Sequence, residues 1–213
     1  MFIARFGIKT VDESFYLSVP YRLLNGDAVF TDEWHVSQLS GLLLLLTMKL
    51  FLSVVGSTEG IILFFRRWTR FEITAYGDTS ASVEKGPLKG IYTAPEMKKN
   101  YELVLEDLDY IKSVSDGTLY IADLCPWYYF YTGLDMGTYT AYYVETDGIN
   151  RNKAYWDLHP DKLPDSVFIP FFDAVTYRFP ENTDGFSGSE LFGLFDGEVK
   201  MLNTGVYDRT CGI

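Results

Sequence analysis

Residues 10–67 read TVDESFYLSVPYRLLNGDAVFTDEWHVSQLSGLLLLLTMKLFLSVVGSTEGIILFFRR. The stretch opens on an acidic pair, Asp12-Glu13, continues as an amphipathic segment and ends in an almost uncharged apolar run. How it is read decides between a soluble α/β protein with an unusual start and a piece of a membrane enzyme. Over residues 12–25, Phe15, Tyr16, Val19, Leu23 and Leu24 recur at helical spacing behind a capping Thr10 or Asp12. Gly26 supplies a stop. Pro20 predicts a kink or a second start inside that helix, because proline has no N–H to donate. Asn25-Gly26-Asp27 reads as a turn and Thr31-Asp32-Glu33 as polar loop.

From Leu39 to Val55 only Ser40, Thr47, Lys49 and Ser53 interrupt the apolar sequence apart from Gly41. Ser40 and Thr47 fall on one side of a helical wheel, and Lys49 and Ser53 on roughly the opposite one. Apolar surface then wraps most of the helix, as in a helix buried in a large core or in lipid. Its length is at the short limit, since about 20 residues are needed to cross the hydrocarbon. Lys49 at the centre of a span would cost about 2.5–3.5 kcal/mol. The sequence therefore predicts membrane association, by crossing or by lying at the interface with Lys49 snorkelling. A single crossing followed by Arg66, Arg67 and Arg70 would leave the C-terminal part on the cytoplasmic side.

Beyond this stretch the composition changes. Residues 1–70 hold seven basic and six acidic side chains, a net of +1, whereas residues 71–213 hold eleven and 23, a net of −12. Such a break suggests two parts, residues 1–70 and 71–213, with different surroundings. The acidic part is a poor nucleic-acid binder, which needs clustered Lys and Arg. With 47% hydrophobic and 17% aromatic residues the chain is not disordered. Its two cysteines, Cys125 and Cys211, fit one disulfide or two buried thiols equally.

The C-terminal part alternates strand and helix signals. Strands are expected at 71–76, 119–122, 138–144 and 166–169. Helices are expected at 93–112, started by a capping Thr93 with Pro95 and Glu96, and at 126–134, 150–158 and 188–195. Met97, Tyr101, Val104, Leu108 and Ile111 would line the core face of the first of these. Residues 198–202 and 206–208 flank Asn203-Thr204-Gly205, a hairpin signal. This order predicts a small layered α/β domain, largely parallel with an antiparallel end.

No nucleotide-binding fingerprint, nucleophile elbow or zinc spacing occurs. Asp123 follows a strand, where open α/β sheets place ligands, though helix capping is the commoner role. The cluster Trp127-Tyr128-Tyr129-Phe130-Tyr131 suits either stacking on sugars or a buried helix face. Asp12-Glu13 reads as an N-terminal helix cap or as a general base with a neighbouring carboxylate.

The acidic pair, amphipathic helix, Gly26-Asp27, short polar loop and apolar helix ending in Gly56-Ser57-Thr58-Glu59, followed by Arg66, resemble the first extracytoplasmic loop of GT-C-type membrane glycosyltransferases. These are polyprenyl-phosphate-sugar-dependent enzymes that include protein O-mannosyltransferases and aminoarabinose transferases. The resemblance implies sugar transfer from a polyprenyl-phosphate donor to an acceptor hydroxyl, with Asp12 as base and Glu13 beside it. Trp34-His35-Val36-Ser37-Gln38 stands where the family's loop often reads His/Lys-Pro-Pro and contacts the donor phosphate. His35 takes that place without the prolines, and Arg66 falls where an arginine opens the family's second transmembrane helix. A divalent metal is compatible with this chemistry, and no other cofactor is implied. Residues 123–134 and 158–164 resemble the soluble domain that follows the last transmembrane helix in some bacterial members.

That family has many transmembrane helices, and this chain offers at most one. The resemblance therefore implies a truncated relative without the central helices, located at a membrane with its functional face extracytoplasmic. The isolated chain is expected to be inactive. The expected fold is α/β, a small layered C-terminal domain preceded by an N-terminal helical, membrane-associated segment. The alternative is a catalytically silent membrane-associated α/β module that binds a glycan or a protein partner.

Overall fold

A computed structural model describes residues 12–34, 38–56, 80–122, 126–141, 148–170 and 198–209. The chain is α/β. It opens with helices α1 (Asp12–Leu24) and α2 (Gln38–Val55), which pack on each other. α1 runs unbroken through Pro20, so no second start occurs there. Every residue from Leu17 to Arg22 is buried, so this part of the helix is covered all round, whereas Leu23 and Leu24 are only half-buried. Of the expected stripe, Val19 is buried, and the side chains of Phe15 and Tyr16 lie outside the described residues.

Gly41 permits the close approach of α2. A Cβ there would fall 2.8 Å from Val19 Cβ, nearer than side chains ordinarily come. Gly41 and Met48 are buried on the α1 side of α2, with Leu44, Leu45, Phe51 and Leu52 half-buried around them. Leu39, Leu42, Leu43, Leu46, Leu50 and Val54 are exposed on the other side. The helix therefore has one packed face and one open apolar face, where the sequence suggested apolar burial nearly all round. No helix among the described residues is long and apolar enough to cross a membrane.

A two-stranded sheet, β1 (Ala81–Ser82) with β2 (Tyr92–Thr93), leads into helix α3 (Pro95–Val114). Thr93 pairs with Ala81 in the sheet and does not cap the helix. Ala94 is the N-cap, and Pro95 starts the first turn with its φ already helical. Tyr101, Val104, Leu105, Leu108 and Ile111 form the buried stripe, and Met97 lies outside it.

The main sheet contains β3 (Thr118–Ile121), β4 (Asp135–Met136), β5 (Ser166–Pro170), β6 (Glu198–Met201) and β7 (Gly205–Arg209) in the order β4-β3-β5-β7-β6. β4, β3 and β5 are parallel, and β7 and β6 complete an antiparallel end, as expected. Every residue of β5 is buried, the mark of a strand covered on both faces. Alternation sends Leu119, Ile121, Phe168 and Tyr207 to one face. There they join α3, helix α4 (Trp127–Thr132), and Leu17, Tyr21 and Met48 of α1 and α2 in one core. Tyr120, Val167 and Ile169 face the other way, onto Tyr155 and Trp156 of helix α5 (Gly148–Leu158).

The aromatic helix α4 is buried at all six positions. Tyr129 Oη accepts the N–H of Ile121 at 2.8 Å, and burial pushes its phenol above the ordinary range. These rings are core, not an open platform for a sugar. Residues 138–141 do not form the expected strand, because other groups take their polar atoms. Asn152 Oδ1 accepts Thr138 Oγ1 at 2.7 Å and the Tyr139 N–H, and the carbonyl of Tyr139 accepts from Trp34 N. Residues 142–144 and the expected elements at 71–76 and 188–195 lie outside the described residues, as do Asp123, Cys125 and Cys211.

Candidate functional site

The charged groups described around the end of α1 converge on Arg22. The helix stops at a turn in which the N–H of Asn25 donates to the carbonyl of Arg22 at 3.0 Å. Gly26 follows at φ +103°, a conformation that an L side chain rarely adopts. This reversal brings residues 27–34 back beside Arg22. Asp32 closes the loop by accepting the N–H of Ala28 at 2.6 Å.

The guanidinium is buried and donates from all three of its nitrogens. Nε meets Asp27 Oδ2 at 2.7 Å. Nη1 donates to the carbonyl of Thr138 and lies 3.4 Å from Glu33 Oε2. Nη2 donates to the carbonyl of Asp32 at 2.6 Å and to Tyr155 Oη at 3.1 Å. Burial alone would disfavour the cation, but the carboxylates of Glu33 and Asp27 outweigh it and hold its pKa above the ordinary arginine value. Burial pushes the Tyr155 phenol up to about 12, against the opposing pull of Arg22.

A second ring of contacts ties the cluster to the turn after α5. Lys162 Nζ bonds Asp27 Oδ1, so Asp27 bridges two cations. His159 Nδ1 lies 3.3 Å from Asp32 Oδ1, and its ring stacks on Tyr155 at 4.7 Å. Trp34 closes the side edge-on to Tyr155 at 5.4 Å. With Arg22 and Lys162 facing Asp27 and Glu33, the inner charges balance. Their bonds fasten α1 and its loop to residues 138–162. Arg22 is buried among these partners and is committed to the fold.

The residues expected to carry chemistry stand elsewhere. Asp12 and Glu13 begin α1, at the opposite end of the helix from Arg22, and their side chains lie outside the described residues. His35 and Arg66 also lie outside them. Among the described residues no three His, Cys, Asp or Glu side chains are grouped to hold a metal ion. Arg22, Asp27, Glu33, Tyr155, His159 and Lys162 were not anticipated as a cluster. The available signals were an arginine within an apolar helical stretch and the acidic loop that follows it.

No family of known proteins matches the chain, and neither a curated protein nor a solved structure is similar to it.

Proposed function

We propose that this chain is a catalytically silent α/β module of lipid-linked-sugar glycosyltransferase ancestry, acting by docking through its N-terminal helical pair. The observation that carries the proposal is the division of α2 into a packed face on α1 and an open leucine face. Arg22 and its partners hold the pair on the α/β domain, so the open face is presented on a fixed support. The ionisable groups that converge there bond one another and leave no obvious reactive pair. The ancestry rests on the resemblance of residues 10–67.

The competing reading is an active transferase, moving sugar from a polyprenyl-phosphate donor to a hydroxyl with Asp12 as base and Glu13, His35 and Arg66 around the donor. It is favoured by the position of Asp12 at the start of a helix whose far end is firmly anchored. Purified protein incubated with a polyprenyl-phosphate sugar and an acceptor peptide decides between them. The silent module yields no transfer. Transfer that disappears in Asp12→Ala would overturn it and establish the enzyme.

A further inference from the structure

The open face of α2 has a specific geometry. Leu39, Leu43, Leu46 and Leu50 follow one another at intervals of four, three and four residues, the spacing of a seam between two helices. Val54 extends the line, and Leu42 lies beside it. Leu43 is 78% exposed, Leu46 73% and Val54 79%. Together the six side chains leave on the order of 700 Å² of apolar surface open, above the usual largest patch on a monomer. Two copies of that face, fully covered, would bury on the order of 1,400 Å², within the range of stable specific interfaces.

Charge favours a second copy over lipid. The chain carries a net charge of −11, but α2 contains no acidic residue and a single lysine, Lys49. It is therefore a surface on which two acidic molecules can meet without opposing carboxylates. Ser40 and Thr47 flank the seam on one side and Lys49 and Ser53 on the other, and all four are exposed. An interfacial membrane helix ordinarily opposes its apolar face with a Lys- and Arg-rich one. Here the opposite side of α2 is packed on α1.

We infer that the leucine face of α2 pairs with the same face of a second copy, so that two α1–α2 pairs form a four-helix centre between two α/β domains. A two-fold pair of this kind is self-complementary and closes without leaving the seam open to further copies. The inference rests on the reading of the helical pair as the docking element.

Light scattering on the full chain at about 50 µM, a concentration at which micromolar pairs persist, tests it. The expected mass is twice the chain's 24.4 kDa. The variant Leu43→Glu/Leu46→Glu is expected to weaken pairing at least about 100-fold, since it would bury like charges in the seam. Both positions are exposed in the single chain, and an unchanged far-ultraviolet circular dichroism spectrum verifies that the variant folds. A monomeric wild type would overturn the inference, as would a dimer that persists in the variant. Flotation with phosphatidylcholine vesicles separates the causes. A monomer that floats, and stops floating in the variant, would overturn pairing but keep docking. A monomer that neither pairs nor floats would overturn the docking reading as well.

Discussion

Replacing Arg22 by methionine removes the centre of the largest described charge cluster while keeping an unbranched chain of similar length. The guanidinium meets Asp27 and Glu33, the carbonyls of Asp32 and Thr138, and Tyr155 Oη. Lys162 would still neutralise Asp27, whereas Glu33 would lose the guanidinium 3.4 Å from its Oε2. Breaking a buried ion pair from one side costs about 3–5 kcal/mol, because a buried charge is stranded. The carbonyls that lose a donor add to that cost. The expected loss for Arg22→Met is about 4 kcal/mol, a large share of the 5–15 kcal/mol that holds a typical domain together.

Urea unfolding followed by circular dichroism and by tryptophan fluorescence measures the loss, with Trp34 beside the cluster as a local reporter. The midpoint should fall with little change in slope. Glu33→Gln in the Arg22→Met background should restore at least about 1 kcal/mol, because it removes a buried charge that no longer faces the guanidinium. Arg22→Lys should also destabilise, since a single ammonium cannot span the partners that the planar fork reaches. A loss below about 1 kcal/mol for Arg22→Met, with no rescue by Glu33→Gln, would refute the claim that the cluster fastens α1 to the domain.

Two further perturbations test other parts of the fold. Asp107 of α3 holds the β6–β7 turn by accepting Asn203 N and Nδ2 on one oxygen and Thr204 N and Oγ1 on the other. Asp107→Asn turns one acceptor into a donor facing donors, and thermal or urea unfolding should show a loss of about 2–3 kcal/mol. Asp208 of β7 is buried between Val167 and Val199, and neither of its oxygens meets a donor among the described residues. Burial raises its pKa, so the native state holds the proton more tightly than the unfolded chain. Its contribution is therefore most favourable below the ordinary aspartate range and is lost as pH rises from that range through the raised value. Unfolding free energies measured across this window should fall with pH relative to Asp208→Asn, and parallel pH profiles for the two proteins would refute the assignment.

Strand and helix order was readable where a local pattern coincided with a burial pattern. Residues 166–169 are a short apolar run, and β5 is buried at every position. Asn203-Thr204-Gly205 marked the hairpin, which then gained the Asp107 clamp from α3. Reading failed where distant side chains compete for backbone groups. Thr138 and Tyr139 look like strand, but Arg22, Asn152 and Trp34 bond their polar atoms. The cap of α3 failed for a related reason, since pairing with Ala81 draws Thr93 into a sheet. The Arg22 cluster was illegible because its members come from residues 22–33 and 138–162, and spacing along the chain does not show that Gly26 folds the loop back.

The two features that sequence periodicity did not resolve are connected. An apolar helix gives no hint of which face it will bury when apolar residues occur nearly all round it. In α2 the choice is made by Gly41, the only glycine of the helix, and by the Val19 side chain that packs into the space a Cβ would fill there. That contact places Leu43, Leu46 and Leu50 on the far side. α1 cannot easily rotate to cover them, because Arg22 on the same helix is bonded to Asp27, Asp32 and Tyr155. The buried cluster and the open leucine face are consequences of one orientation of α1. Loosening the cluster should therefore loosen the seam, and Arg22→Met should weaken self-association although Arg22 lies off the seam. A variant that keeps full pairing while losing the expected stability would separate the two and show that α2 holds its orientation without Arg22.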